Sequence, residues 1–309
     1  MNRRKFIQLS AFAGTAIALP WPLQAFGKDE VLKLTILHTN DVHSRIEPFP
    51  LDHKRYPGMG GAAERAAIIQ NIRKKEENVL LLDAGDMFQG TPYFNFFGGE
   101  LEFKLMSDMG YDAATIGNHD FDAGIDGLKK QLVHANFPLI NCNYDFRDTV
   151  MEGQTLPYQI FNKGKLKIGV LGVGVELEGI VPSKMFGNTK YNDPVANANK
   201  VANQLKHDHK CDYVICLSHL GYKYDHAKIS DVELAKATEN IDLILGGHTH
   251  TFLDEPVFIE NKVRKMVMIN QVGWAGVILG KIEIYFHKNI NKNWAYGQTV
   301  IVDKNSIEI

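Results

Sequence analysis

Residues 79–86 read Val79-Leu80-Leu81-Leu82-Asp83-Ala84-Gly85-Asp86. The short, unbroken run Val79–Asp83 reads as a strand buried on both faces, as in a parallel sheet covered by helices. The carboxylate that follows the glycine then stands beyond the strand's carboxyl end, where open α/β sheets place their sites. The same pattern repeats on either side. Val31–His38 is a strand leading into Asn40-Asp41-Val42-His43, and Ala113–Ile116 leads into Gly117-Asn118-His119-Asp120-Phe121-Asp122. Tyr213–Leu217 leads into Ser218-His219, and Ile241–Leu245 into Gly246-Gly247-His248-Thr249-His250. Helical patterns lie between them at Gly60–Lys75, Glu100–Met109, Gly124–His134 and about Val195–His207. Pro138–Asn141 and Leu166–Val173 read as further strands, and from Pro256 onward the chain is strand-rich, with Val277–Tyr285 the clearest. This alternation argues for a layered α/β domain.

The 309 residues are 45% hydrophobic and 23% charged, a globular composition that excludes a disordered, collagen-like or disulfide-dense chain. With 34 basic against 36 acidic residues, there is no electrostatic basis for a nucleic-acid groove. The first residues, Asn2-Arg3-Arg4-Lys5-Phe6-Ile7, put paired arginines before a moderately apolar stretch, Ile7 to Ala18. They resemble a twin-arginine (Tat) export signal. The stretch is shorter than the roughly 20 apolar residues of a membrane span, so no stable membrane anchor is expected. Ala25-x-Gly27 offers a cleavage site, which predicts a leader over 1–27, a mature domain over 28–309 and a periplasmic location. Three cysteines make no disulfide framework. Cys142, Cys211 and Cys216 are expected as buried free thiols, with Cys211 and Cys216 on opposite faces of a strand.

The clusters at the strand ends carry the chemistry. In extended chain Asp41 and His43 point the same way, so a carboxylate and an imidazole can converge on one ion. Each cluster alone is weak, but five in this order are specific. The set D-x-H, G-D, G-N-H-D, H, G-H-x-H resembles the calcineurin-like dinuclear metallophosphoesterases. The flanking residues Leu37–Arg45, Gln89-Gly90-Thr91-Pro92 and Asn118–Asp122 resemble the 5′-nucleotidase branch, over a stretch from about Leu34 to the C-terminus.

That resemblance implies a four-layer α/β/β/α metallophosphoesterase sandwich with two mixed sheets, an architecture that periodicity alone would not choose over a doubly wound sheet. It implies that Asp86 bridges two divalent ions, with Asp41, His43 and His250 completing one site and Asn118, His219 and His248 the other. Mixed imidazole and carboxylate ligands suit Zn, Mn, Fe or Co. Two such ions and two carboxylates leave a net charge of about +2 for a phosphoryl group. Hydrolysis of phosphate esters, 5′-nucleotides foremost, by a hydroxide activated between ions about 3.5–4 Å apart is the implied reaction. His119 is implied to assist the leaving group, oriented by Asp122. Asn118, His119 and Arg45 are the candidate substrate contacts, although a surface salt bridge is an equal reading for Arg45. Asp83 is expected to orient a neighbour, and His38 to be buried in its strand. The segment Phe88–Phe97 is expected to be core, with a base-stacking wall or docking face as the alternative.

The resemblance implies a second, nucleotide-binding domain in full-length 5′-nucleotidases, whereas Pro256–Ile309 is expected only to finish the metallophosphoesterase sandwich. The expectation is therefore a broad phosphoesterase or a catalytic chain served by a separate nucleotide-binding polypeptide. Phosphodiesters, including cyclic nucleotides, are alternative substrates for such a site. Thiosulfohydrolysis and a non-catalytic binding role are remoter alternatives.

Overall fold

In a computed structural model, which describes residues 31–287 and 293–308, the run at Val79 becomes the second strand of a seven-stranded sheet. The leader expected over 1–27 lies outside the described residues. Strands β1 (Val31–Thr39) and β2 (Val79–Asp83) are parallel, with Ile36 beside Leu80 and Thr39 beside Asp83. The chain continues through β3 (Ala113–Ala114), β4 (Leu139–Ile140), β5 (Tyr144–Asp145), β6 (Thr155–Leu156), β7 (Tyr158–Lys163) and β8 (Leu166–Gly174). It completes the strands with β9 (Lys190–Tyr191), β10 (Tyr213–His219), β11 (Leu243–Gly246), β12 (Val257–Glu260), β13 (Met266–Asn270), β14 (Ile278–His287) and β15 (Asn293–Ile301). One sheet runs β15-β14-β1-β2-β3-β4-β6, the other β12-β13-β11-β10-β8-β7, and β5 pairs with β9 apart from both. Both main sheets are mixed. Strand β14 is antiparallel to β1, and β7 and β12 are antiparallel edges on the parallel core of the second sheet.

The period of two along each strand builds the layers. Leu34 and Ile36 of β1 and Leu80 and Leu82 of β2 share a core with Ile168, Ile215, Leu217 and Leu243 of the second sheet. Out of phase with them, Leu37 and Leu81 share the opposite core with helices α1 (Ala62–Lys75), α2 (Pro92–Phe97), α3 (Glu100–Met109) and α4 (Gly124–Gln131) through Ile68, Ile69, Phe94, Phe103 and Leu128. After a single turn, α5 (Ser183–Phe186), come α6 (Pro194–Asn203) and α7 (Asp231–Ala237). These two cover the far face of the second sheet, where Val214, Cys216 and Ile244 meet Ala198, Val201 and Leu234. The architecture is thus the four-layer α/β/β/α sandwich with two mixed sheets.

Several boundaries differ from the sequence expectation. The strand expected over Ala113–Ile116 stops at Ala114, because β2 ends opposite it at Asp83, and Thr115 instead sends its hydroxyl to the Ile140 carbonyl. The strand expected over Pro138–Asn141 is Leu139–Ile140, since the Asn141 side chain accepts from the Asn143 and Tyr144 amides and turns the chain. Cys211 is not on the strand with Cys216. It precedes β10, donates its amide to the Leu205 carbonyl and packs in the same cluster, so the two thiols do not face opposite ways. All three cysteines are free, but Cys142 is only partly buried. Among the described residues, no helix is long and apolar enough to cross a membrane.

Candidate metal centre

Every cluster expected at a strand end arrives at one edge of the sandwich. Asp41 and His43 follow β1, Asp86 follows β2, Asn118 lies beyond β3, His219 closes β10, and His248 and His250 follow β11. The potential ligand atoms of Asp41, His43, Asp86 and His250 lie within 4.8 Å of one another, and so do those of Asp86, His219 and His248. Asn118 joins the second group through Oδ1, which is 2.7 Å from His248 Nδ1. Asp86 belongs to both groups, and no ligand in the expected set lies elsewhere.

The convergence of Asp41 and His43 does not come from strand alternation. Both residues have left-handed backbone, with φ of 50°; so do Asp86, His248 and His250, with φ of 57°, 72° and 50°. Five of the 12 non-glycine residues with positive φ among those described are therefore members of this cluster. Such backbone costs of order 1–3 kcal/mol per residue and persists where surrounding contacts enforce it. Here the Asp41 and His43 amides donate to the Gly85 and Asp86 carbonyls, and the His248 amide donates to both oxygens of Asp41 at 3.0 Å. The glycine before Asp86 has a steric reason as well: a Cβ on Gly85 would lie 2.7 Å from the Gly117 amide and 2.8 Å from His219 Nδ1.

The donor set fits divalent ions. His219 Nδ1 donates to the Ala84 carbonyl at 2.7 Å, which turns Nε2 toward Asp86 Oδ2 at 3.1 Å. That fully buried Nε2 makes no well-directed hydrogen bond to any protein group. His43 Nδ1 lies 3.3 Å from the Phe88 carbonyl, and its Nε2 faces His250 Nε2 at 3.0 Å. Imidazoles anchored at one nitrogen and converging through the other on carboxylates are the arrangement that metal ligation requires. Burial disfavours charge on His219, yet Asp86 and Asp41 outweigh it and hold its proton up to about 10. Burial likewise opposes ionisation of Asp86, but His219 and His43 hold its carboxyl well below the usual range. The carboxylates thus create a demand for positive charge that protons or divalent cations can meet. Burial pulls His248 down to about 3, leaving a neutral imidazole with a free lone pair.

At the partly exposed rim, His119 Nδ1 is bonded to Asp122 Oδ2 at 2.8 Å, and its ring meets that of His43 edge-on at 5.2 Å. The Asp122 bond raises the His119 pKa. Arg45 is near but not in the cluster. Its guanidinium lies over the Phe49 ring at 4.1 Å rather than in a salt bridge. It also lines an open groove of about 660 Å³ with Tyr93, Phe96 and Phe97. The segment Phe88–Phe97 is therefore divided: Phe88 and Phe94 are core, whereas Phe96 and Phe97 are 83% and 49% exposed. Asp83 orients neighbours as expected, accepting from Thr39 Oγ1 and the Gly85 amide.

Three contributors escaped sequence reasoning. Asp120 accepts four backbone amides, those of Asp86, Met87, Phe88 and Gly117, at 2.7–3.1 Å, and so fixes the turn that presents Asp86. Asn40 binds Asp41 Oδ2 and ties the turn to Gly273 and Val272. Trp274 lies parallel to His250, with ring centroids 5.9 Å apart. Asp120 and Asn40 stand inside quoted motifs, whereas Trp274 carried no local signal.

Residues 34–252 match the family model of the calcineurin-like phosphoesterases. A snake venom 5′-nucleotidase from Gloydius brevicauda is 34% identical over 296 residues, covering 89% of this chain and 49% of that one. The 5′-nucleotidase of Vibrio cholerae is 36% identical, covering 83% of this chain and 46% of that one. In three dimensions the 5′-nucleotidase precursor of Thermus thermophilus superposes with a TM-score of 0.79 at 29% identity, over 89% of this chain and 55% of that one. The chain thus spans about half the length of the curated relatives it matches.

Proposed function

Since this chain belongs to the calcineurin-like phosphoesterase family, we propose that it is a metal-dependent phosphomonoesterase acting on 5′-nucleotides. The observation that carries the reading is the pair of ligand groups sharing Asp86, with the His119–Asp122 pair at their rim. Asp41, His43 and His250 would hold one ion, Asn118, His219 and His248 the other, with Asp86 common to both. The donor chemistry suits Zn, Mn, Fe or Co. When bound, two such ions supply Lewis acidity to a phosphoryl group. The protein's own part is positional. Ala84 and Phe88 carbonyls orient two imidazoles, Asp120 fixes the Asp86 turn, and the His248 amide braces Asp41. His119, held through Nδ1 by Asp122, keeps Nε2 available to deliver a proton to the leaving oxygen.

The nucleotide preference is supported by relatives that carry the name 5′-nucleotidase and are about twice as long. Contacts to the base would come from a separate nucleotide-binding polypeptide or from the aromatic groove of Tyr93, Phe96 and Phe97 beside Arg45. Residues 28–309 form the mature domain in this reading, exported to the periplasm on the strength of Arg3-Arg4 and the apolar stretch after them.

The test is turnover of 5′-AMP against bis(p-nitrophenyl) phosphate by the Mn²⁺- or Zn²⁺-loaded chain. Faster release of phosphate from AMP supports the proposal. Hydrolysis of the diester alone replaces it with a phosphodiesterase reading, and hydrolysis of neither ester overturns it.

A further inference from the structure

Each imidazole of the candidate centre needs something to set its ring, and one of them lacks the device that the others use. His219 and His43 are held at Nδ1 by the Ala84 and Phe88 carbonyls, and His248 is held at Nδ1 by Asn118. His250 is different. Its Nε2 faces His43 Nε2 at 3.0 Å and Asp41 Oδ1 at 3.4 Å, but among the described residues no protein group is hydrogen-bonded to its Nδ1. Its side chain is 41% exposed, against 7% for His43 and 0% for His219. A ligand this open, turned by no hydrogen bond, would have rotamer freedom to lose on binding an ion. What lies against it is the indole of Trp274, parallel to within 9° at a centroid separation of 5.9 Å.

Trp274 is itself closely held. The Gly273 amide donates to the carbonyl of Thr251, the residue after His250, at 2.9 Å, and the Gly273 carbonyl accepts from the Asn40 side chain at 2.7 Å. On the other side, the Ala275 amide donates to the Asp41 carbonyl at 2.7 Å. The backbone flanking the indole is thus tied to both chain segments that carry this ligand group. Phe49 and Tyr56, from the loop that follows His43, meet the indole edge-on with centroids 6.0 and 6.5 Å away. A ring fixed in this way restricts the tilt of a parallel imidazole without occupying either of its nitrogens, so Nε2 stays free for an ion. An ion on Nε2 makes the imidazole more positive, and the face of an indole attracts positive charge.

We propose that Trp274 is the positioning residue for His250, setting by ring stacking the one ligand imidazole that no hydrogen bond to Nδ1 orients. The role rests on the metal reading given above. It makes the affinity of the group formed by Asp41, His43, Asp86 and His250 depend on an aromatic ring at position 274. The bonds of Gly273 and Ala275 run through their main-chain atoms, so a substitution at 274 removes the stack and leaves those partners in place.

The test is the Mn²⁺ affinity of the chelated full chain, followed through the electron paramagnetic resonance of free Mn²⁺. Trp274→Leu and the longer Trp274→Met should each weaken binding by about 10-fold, the scale on which groups behind a metal ligand act. Trp274→Phe, which keeps a ring to stack, should recover most of that loss. In a His250→Ala background there is no imidazole to set, so Trp274→Leu should cost nothing further. Urea unfolding of the ion-free variants checks that each is folded. Unchanged Mn²⁺ affinity in Trp274→Leu and Trp274→Met overturns the role, and so does a Phe variant no better than Leu. An equal loss with and without His250 also overturns it, and makes Trp274 a packing residue of Phe49 and Tyr56 instead. A parent chain that binds no Mn²⁺ fails the metal reading itself, and this role with it, so the parent tells the two failures apart. None of these readouts depends on which ester is hydrolysed.

Discussion

An alkoxide leaves a phosphoryl group slowly unless a proton reaches it, and in the proposed reaction His119 would supply one. Its Nδ1 is committed to Asp122, so only Nε2 can act. For His119→Ala, turnover of an alkyl ester such as AMP is expected to fall about 10²–10⁴-fold. The loss should be much smaller with p-nitrophenyl phosphate, whose phenolate departs unprotonated. Metal content by atomic emission should be unchanged, since none of the seven candidate ligands is touched. Equal losses on both esters would remove the acid role. Asp120 sits one residue further on and does a different job. Its two oxygens accept two amides each, so all its acceptor positions are used, and an Asn there would turn an NH₂ group toward amide donors. Asp120→Asn should destabilise the ion-free chain by about 2–4 kcal/mol in urea unfolding, from charge-assisted bonds worth roughly 1.5–3 kcal/mol each. A change within measurement error would show that the turn forms without it.

Strand β1 shows how an element can carry a pH response remote from the reaction. His38 lies fully buried between the sheets, and Asn270 is 2.9 Å from its Nε2. Its register partner on β14 is Gly280, where a side chain would collide with the imidazole. Burial lowers the His38 pKa to about 3. Between that value and the ordinary 6.5, the unfolded chain holds a proton that the folded chain excludes, so stability falls as the pH falls through this window. The contribution is about 1.4 kcal/mol per pH unit. His38→Gln keeps a partner for Asn270 without a titrating group, so its unfolding free energy should fall less steeply between about pH 6 and pH 4. The measurement uses chelated protein, so that ion release is not mixed in, and parallel slopes would refute the assignment.

The same scale explains what the sequence disclosed. Long aliphatic runs such as Val79–Asp83 were legible because both faces are buried, and the strand ended where it was expected to end. The two-residue strands β3 and β4 were overestimated, because their limits depend on the end of β2 and on the Asn141 turn rather than on their own composition. The ligand clusters were legible because each lies within a few residues of a strand end. Their geometry was not, since Asp41 and His43 meet through left-handed backbone held by Gly85 and Asp86, residues that only the parallel pairing of β1 and β2 brings near. Trp274 left no local trace for the same reason: it meets His250 only through the fold.

At the scale of the whole molecule, the candidate centre exists only in the folded chain. His43 and His250 are 207 residues apart and meet at 3.0 Å because β1 and β11 end at the same edge of two stacked sheets. An ion that binds this geometry and has no comparable site in the unfolded chain must stabilise the fold by mass action. At free ion a hundredfold above Kd, that amounts to about 2.7 kcal/mol for each ion. In a chain of this size, 1 kcal/mol moves the midpoint by roughly 2 °C, so two ions should raise Tm by roughly 10 °C over the chelated protein. Scanning calorimetry with increasing Mn²⁺ or Zn²⁺ measures this directly. His250→Ala should retain only part of the rise, because His250 belongs to one ligand group, while removal of the shared Asp86 by Asp86→Asn should abolish most of it. Superimposable melting curves with and without ions would mean that the convergence of Asp41, His43, Asp86, Asn118, His219, His248 and His250 is held by protons and hydrogen bonds alone, and the proposed metal chemistry would fall with it.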